Sequence, residues 1–453
     1  MSKNCIARLS KLIQFKTVSD WNEMENCGYL VEPGETKQLL NFLRSSYPNI
    51  FQSERVTVET INDFSVLITI KGENSQLAPI LCIAHTDVVP ANSNEWKCGN
   101  PFDGSIIDDI LYGRGAIDDK GCVLGLLEAV EAILSKDSIC KRTLYIALTH
   151  DEEVGGKKGA VFVSKHLEKV LNGKKLEFIL DEGGILACDV LPGIKKSALI
   201  GISEKTYMDV AITANTEAGH ASMPVSDTAL SRVVQASLAL RNYKFRAYFK
   251  NSIFGRLMNF TRPYLPFFLS MFISFSWYVW DWPIRFILSR GPPSIQAQIK
   301  TTHAQTIMHA GTKSNVIPSS ASLTMNIRVH HNDTVDNVLS QIRSVISPFK
   351  CHLKVITSDN ISPISSTSSM GYKLLSKTIE AHFPEFTALA YYCVGCTDSR
   401  HFAHLAKDIY RFLPFILHKN NISCIHGADE HVSVENVFKA VAFYEDFLNQ
   451  ACF

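Results

Sequence analysis

Three short apolar runs in this chain each end in acidic residues or histidine. Pro79 to Ala84 (PILCIA) runs into His85, with Asp87 two residues on. Thr143 to Thr149 (TLYIALT) runs into His150, Asp151, Glu152 and Glu153, and Leu176 to Leu180 into Asp181 and Glu182. Runs of this kind make buried parallel strands, and open α/β sheets bind ligands at the carboxyl ends of their strands. Further on, Gly113 and Gly115 precede Asp118 and Asp119, and Lys120-Gly121 open an apolar helix, Cys122 to Leu134. Taken alone, an Asp pair at a helix start is an N-cap with a solvated neighbour. Here the clusters recur, and IHGADEH at 425–431 adds His426. Adjacent carboxylates before a buried helix are costly without a cation.

Collected, His85, Asp118, Glu153, Asp181 and His426 are two histidines and three carboxylates. That set suits two zinc ions per subunit with one carboxylate bridging, and Co2+ or Mn2+ can substitute. Two ions roughly 3.5–4 Å apart activate a shared water and polarise a carbonyl together. Alternate residues of extended chain share a face, so Asp87 can reach round to the His85 ring and fix its tautomer. Glu152 and Glu153 point opposite ways, so one can ligate while the other faces substrate as general base. His150, His401 and His431 have no such partner set and read as structural.

These residues need a scaffold. A chain of 453 residues can bury large cores and hold two or three domains. With a net charge of +1 and 20% charged residues, nothing points to a nucleic-acid partner. The 12 cysteines lack a disulfide-like spacing, and the Cys393–Cys396 CxxC has no second pair, so they read as mostly free thiols of a reducing compartment. The first residues, MSKNCIARLSKLIQF, form an amphipathic helix pattern rather than a signal peptide, which gives a cytoplasmic expectation. Residues from about Ile6 to Tyr47 read as two helices around a loop, Cys27 to Gly34. Ser105 to Tyr112 reads as a hairpin. Near Ser203 the pattern changes. Thr206 to Thr213 alternates, and Val225 to Leu240 carries Ala229, Leu230, Val233, Val234 and Leu238 at helix spacing. Ala321 to Val329 alternates again, and Asp333 to Ile346 is a helix with Asp333 as cap. The α/β pattern resumes near Ile364. The expected fold is α/β: a catalytic domain with a mixed sheet flanked by helices, residues 1–202 and 359–453, into which an α+β domain, residues 203–358, is inserted.

HTDVVP, GRGAIDDKG, HDEEVGG, LDEGG, GHASMP, GTKSNVIP, GCTDSRHF and HGADEH, in this order, resemble the di-zinc exopeptidase family of aminoacylase, carnosinase and glutamate carboxypeptidase. Within it the carboxypeptidase S and N-fatty-acyl-amino-acid synthase/hydrolase branch is the most similar. The resemblance covers almost the whole chain. It implies His85, Asp118 and Asp181 on one zinc, and Asp118, Glu153 and His426 on the other. It further implies Asp87 as the orienting residue, Glu152 as base and a cis Asp118–Asp119 peptide. The insertion matches the family's lid and dimerisation domain. There His220 resembles the histidine that reaches into the partner subunit's site to stabilise an oxyanion. Asn315, Arg328 and Arg400 match substrate-binding positions, and an arginine fork suits a free carboxylate. Cys396 departs from the family's GGTDSR pattern, which bears on pocket shape and not on metal binding.

Pro263 to Trp280 (PYLPFFLSMFISFSWYVW) holds no charged residue and approaches the length of a membrane span. Pro266, Asp281 and Pro283 interrupt or bound it, so it reads as a buried cover or a wall for an acyl chain, ahead of a membrane contact. The functional expectation is a zinc-dependent hydrolase of an amide bond beside a free carboxylate, acting on N-acyl amino acids or short apolar peptides as a homodimer. The rivals are a dipeptidase of the same family and a metal-binding scaffold without turnover.

Overall fold

The computed structural model describes residues 4–22 and 27–453. The chain divides into two compact units: Met1–Ile202, Ile364–Tyr391 and Thr397–Phe453 form the first, and Ser203–Pro363 with Tyr392–Cys396 the second. The second unit thus runs to Pro363 rather than Ser358 and also takes in the CxxC stretch.

The first unit is built on a 10-stranded mixed sheet. Its strands are β1 (Val56–Ile61), β2 (Ser65–Ile70), β3 (Ile80–His85), β4 (Leu144–Thr149), β5 (Leu176–Asp181), β6 (Ile185–Leu191), β7 (Ile194–Glu204), β8 (Thr387–Cys393), β9 (Ala406–Arg411) and β10 (Ile416–His418). They lie in the order β10-β6-β7-β9-β5-β3-β4-β2-β1, with β8 pairing β7 off this path. The middle four, β9, β5, β3 and β4, are parallel. Every residue of β3 and β4 is buried, which is why both read as unbroken apolar runs. Alternation sends Leu81, Ile83, Tyr145, Ala147 and Ile179 into a core with helix Ala160–Leu171. Cys82 and Leu180 lie instead with Cys122, Leu126 and Tyr444 of helices Lys120–Leu134 and Val434–Cys452. Those helices touch closely, for a Cβ on Gly125 would stand 2.7 Å from the Tyr444 ring. Helix Lys120–Leu134 is buried nearly all round, in keeping with its uniformly apolar sequence.

Helix Asn4–Gln14 is amphipathic, with Ile6, Leu9, Leu12 and Ile13 buried; Met1 to Lys3 lie outside the described residues. One local reading is corrected. Cys27–Leu30 is not loop but pairs antiparallel with Ser19–Asn22. The hairpin is present, as Ser105–Ile107 paired to Ile110–Tyr112, and His431–Ser433 adds a third strand to it. No disulfide joins the cysteines whose side chains are described.

The second unit holds a four-stranded antiparallel sheet in the order Thr302–Ala310, Ser320–Val329, Thr206–Asn215, His352–Ser358. Met208, Val210 and Ile212 alternate inward with Leu323, Met325 and Ile327, against helices Ala229–Asn242 and Val335–Ile346. The inward stripe of the first helix is Ala229, Val233, Ala236 and Leu240. Leu230, Val234 and Leu238, the other apolar residues at helix spacing, are 40%, 39% and 52% exposed. Thr334, not Asp333, caps the second helix, its hydroxyl accepting from the Asn337 amide at 3.2 Å. Asp333 is buried and accepts hydrogen bonds from Tyr248 and Thr301.

The uncharged stretch lies among four short helices, Ile253–Thr261, Phe267–Tyr278, Trp282–Leu288 and Pro293–Ile299. It is not a buried cover. Its small core of Phe249, Leu265, Ile273 and Ile284 absorbs one face only. Phe268 stands 78% exposed and Trp280 63%. Among the described residues no helix is long and apolar enough to cross a membrane.

Candidate active site

The parallel strands deliver the site at their carboxyl ends. β3 ends on His85, β4 leads into the short 3-10 turn Glu152–Val154, and β5 leads into Glu182. Asp118 lies just before helix Lys120–Leu134, and the Asp118–Asp119 peptide is cis, as the resemblance implies. His85 Nε2 is 2.9 Å from Asp118 Oδ1. The other Asp118 oxygen, Oδ2, is 3.0 Å from His426 Nε2. Asp118 therefore offers one oxygen to each imidazole, the geometry of a bridging carboxylate. Glu153 Oε2 approaches His426 Nε2 at 3.3 Å, and Glu182 Oε1 approaches His85 Nε2 at 3.6 Å. Two donor groups result, His85–Asp118–Glu182 and Asp118–Glu153–His426, each with its ligand atoms within 4.8 Å of one another.

The third carboxylate beside His85 and Asp118 is Glu182, not the expected Asp181. Asp181 is buried and engaged elsewhere: its Oδ2 accepts from the Ser399 amide at 2.7 Å, and its Oδ1 from the Glu182 amide at 3.0 Å. Adjacent residues at a strand end point opposite ways, and it is Glu182 that turns toward His85.

Asp87 ties two parts of the site together. Its Oδ1 lies 3.4 Å from His85 Nδ1, whose closer partner is the Asp87 carbonyl at 3.0 Å. The same carboxylate accepts from the amides of Glu152 (3.1 Å) and Glu153 (3.2 Å) and from the Ser19 hydroxyl (2.6 Å). Sequence reasoning missed a second support, Glu430. This fully buried carboxylate accepts from Arg114 Nη1 at 2.6 Å and from the amides of Gly115, Ile117 and Asp118 at 3.0, 2.8 and 3.1 Å. Arg114 also donates to the Gly427 carbonyl at 2.8 Å. The clamp thus fixes the turn that carries Asp118 against the loop that carries His426. Asp119 accepts from the His85 amide at 3.1 Å.

The electrostatics call for cations. Glu153 Oε1 and Asp119 Oδ1 are buried with no hydrogen-bond partner. Burial pushes Glu182 and Glu153 up, and the neighbouring Asp118 carboxylate pushes both further. Hydrogen bonds to Asp118 and Glu153 push His426 up to about 10. For Asp118 itself, burial is outweighed by hydrogen bonds from His426 and His85, which hold it below the usual carboxylate range. Buried carboxylates this close to one another fit a pair of divalent ions, and nitrogen with oxygen donors is the chemistry of zinc and its neighbours. Glu152 belongs to neither donor group. It is raised by burial and then by the Asp398 carboxylate, and it lies 4.0 Å from Arg400 Nη1. Arg400 thus stands beside the expected base.

The remaining expected residues lie on the second unit. The strand pair Gly219–His220 and Val316–Ile317 brings His220 opposite Val316, and the Ala221 amide donates to the Asn315 carbonyl at 3.1 Å. His220 and Asn315, far apart in sequence, are therefore neighbours. Both are exposed, and His220 Nδ1 contacts Ser222 Oγ at 2.7 Å. Arg328 lies over the Tyr207 ring, with Nη1 3.0 Å from Cys396 Sγ. The departure at Cys396 therefore places a thiol directly on an expected substrate-binding arginine.

Residues 81–450 match the model of peptidase family M20/M25/M40. The N-fatty-acyl-amino acid synthase/hydrolase PM20D1 of Xenopus tropicalis is 35% identical over 98% of this chain and 85% of its own length. The probable carboxypeptidase S-like 2 of Dictyostelium discoideum is 34% identical over 96% of this chain and 83% of its own. Among solved structures, the M20 family metallo-carboxypeptidase Sso-CP2 from Sulfolobus solfataricus superposes with a TM-score of 0.70 at 16% identity, covering 99% of both chains. The donor set at the ends of β3, β4 and β5 thus sits in a known frame, and the chain is a hydrolase belonging to peptidase family M20/M25/M40.

Proposed function

We propose that this hydrolase cleaves the amide bond of N-acyl amino acids, next to the free carboxylate, using two zinc ions. The observation that carries the reading is the placement of Glu152, buried beside both donor groups and belonging to neither. His85, Asp118 and Glu182 would hold one zinc ion and Asp118, Glu153 and His426 the other, and the pair would supply Lewis acidity toward the amide carbonyl and toward a water. Glu152 takes the proton of the attacking water and returns it to the leaving amine nitrogen. Asp87 holds the backbone of Glu152 and Glu153 and the ring of His85 in one arrangement. Arg400, beside Glu152, offers a planar fork for the substrate carboxylate. The acyl-amino-acid substrate is supported by the name and near full-length similarity of the PM20D1 relative. Condensation of a free acid with an amino acid is the reverse of the same reaction and uses the same groups.

The test is Glu152→Gln with metal analysis and a panel of N-acyl amino acids, reading release of free amine. Activity should fall by about 100-fold or more while both metals stay bound. Loss of a metal from this variant, with Glu153→Gln keeping both, would reverse the two roles.

We further propose a homodimer through the second unit in which His220 completes the partner's site by stabilising the oxyanion. The exposed stripe of Leu230, Val234 and Leu238 and the exposed setting of His220 support it. Mixed His220→Ala and Glu152→Gln subunits should regain activity, because one hybrid site receives both intact residues. No recovery after verified subunit exchange refutes the arrangement.

A further inference from the structure

The helix Phe267–Tyr278 is apolar on both sides. Its inward side is spent on the small core, with Ile273 and Ser276 buried. On the outward side Phe267, Phe268, Met271, Phe275 and Tyr278 follow one another at helical spacing and are 73%, 78%, 54%, 44% and 67% exposed. Trp280, Trp282 and Phe286 continue the surface onto the next helix, at 63%, 58% and 53% exposed. Soluble proteins rarely leave a contiguous surface of this kind open without a use.

Charge identifies the occupant. Residues 244–300 hold eight lysines and arginines against one acidic residue, Asp281. Asp281 is already paired, its Oδ1 3.1 Å from Arg285 Nε. Lys244, Arg246, Arg256 and Arg290 are exposed. A second copy of this surface would bring like charges together, which opposes self-association. An anionic lipid surface is complementary to it. Phenylalanine and methionine suit the acyl boundary, and tryptophan and tyrosine the headgroup level. The geometry excludes a span: Phe267–Tyr278 is 12 residues, about 18 Å of helix, against the roughly 20 residues a bilayer core needs.

We propose that the helices Phe267–Tyr278 and Trp282–Leu288 dock this protein onto an anionic membrane surface, lying in the interface with the aromatic stripe toward the acyl chains and the surrounding arginines and lysines at the phosphates. Docking of this kind strengthens with anionic lipid and weakens with salt, because the basic residues act over a Debye length.

The experiment uses the full, metal-loaded chain in co-sedimentation with vesicles of phosphatidylcholine, with and without phosphatidylserine. The expected result is binding to the mixed vesicles, weaker binding to phosphatidylcholine alone, and release by salt. The triple variant Phe268→Ser, Phe275→Ser, Trp280→Ser should lose at least about 100-fold in partitioning, with its metal content and melting temperature unchanged. Should that variant misfold, the wild type still decides the matter: lipids brominated near the headgroup should quench tryptophan fluorescence, and Trp280→Phe with Trp282→Phe should abolish most of the quenching without abolishing binding. Three results overturn the proposal. One is no binding to mixed vesicles. Another is a folded triple variant that binds as well as wild type. The third is a stripe that alters only self-association or substrate chain-length preference, with no vesicle binding.

Discussion

Replacing Glu430 by glutamine tests whether the clamp around Asp118 is what builds the site. The side chain keeps its shape, but one acceptor oxygen becomes an NH2 donor. Glu430 accepts four hydrogen bonds, all between 2.6 and 3.1 Å, from Arg114 Nη1 and the amides of Gly115, Ile117 and Asp118. A glutamine oxygen can keep two of these partners, and the amide nitrogen then faces the other two. Each buried donor left without a partner costs about 1–3 kcal/mol. Arg114, 2% exposed, also loses its counter-charge, and breaking a buried pair costs about 3–5 kcal/mol. These terms overlap, because Arg114 is one of the four donors, so the expected loss is about 3–6 kcal/mol. Displacement of the Asp118 turn should weaken metal binding about 10–100-fold, as changes behind a ligand do. Thermal unfolding with metal and with chelator, together with equilibrium dialysis against zinc, measures both effects. Arg114→Leu with Glu430→Leu should lose less than the two single changes together, since no charge is stranded. A Glu430→Gln protein that melts and binds zinc as wild type does refutes the clamp.

Glu182→Gln should lower metal content and activity together, whereas Asp181→Asn should keep its metals and lose stability through the Ser399 contact; plasma emission with melting curves separates the two. Leu230→Glu with Val234→Glu, on the exposed face of helix Ala229–Asn242, should leave the fold intact and yield a monomer on sedimentation, while an unchanged dimer would place the interface elsewhere. The tilted ring pair of His330, buried, and His331, half-buried, gives a pH dependence. Burial first, then His331 and Lys205, lower His330 to about 2; burial and Arg256 lower His331 to about 4. Both stay neutral when folded but bind protons when unfolded below about 6.5, so stability rises with pH and falls as pH drops from about 6.5 toward 4. Each histidine contributes a slope of about 1.4 kcal/mol per pH unit in that window, and His331→Gln should show an acid slope shallower by about that amount.

Much of the site could be read from residue order, because apolar runs that stop abruptly at His85, at His150 to Glu153 and at Asp181-Glu182 can only be strand ends. The choice between Asp181 and Glu182 was less legible. Alternation sends them opposite ways, and the deciding fact is a pairing: Leu180 lies opposite Cys82, on the side of the helix that follows Asp119. Glu182 shares parity with Leu180 and so turns the same way. Glu430 was illegible for another reason. Three of its four donors are backbone amides, which carry no side-chain signature, and they lie more than 300 residues away. The stretch around Phe267–Tyr278 misled because a run without charge shows that it is apolar, not that anything covers it.

The contact of residues 114–118 with 427–430 also has a consequence for biosynthesis. His85, Asp118 and Glu153 leave the ribosome early, but the turn that presents Asp118 has no anchor until Glu430 emerges, long after the inserted unit has been made. A nascent chain therefore carries clustered carboxylates with neither His426 nor the Glu430 clamp in place. Completion of the Asp118–Glu153–His426 donor group is thereby deferred until translation is nearly finished, and a chain stopped short of residue 426 lacks one ligand of that group.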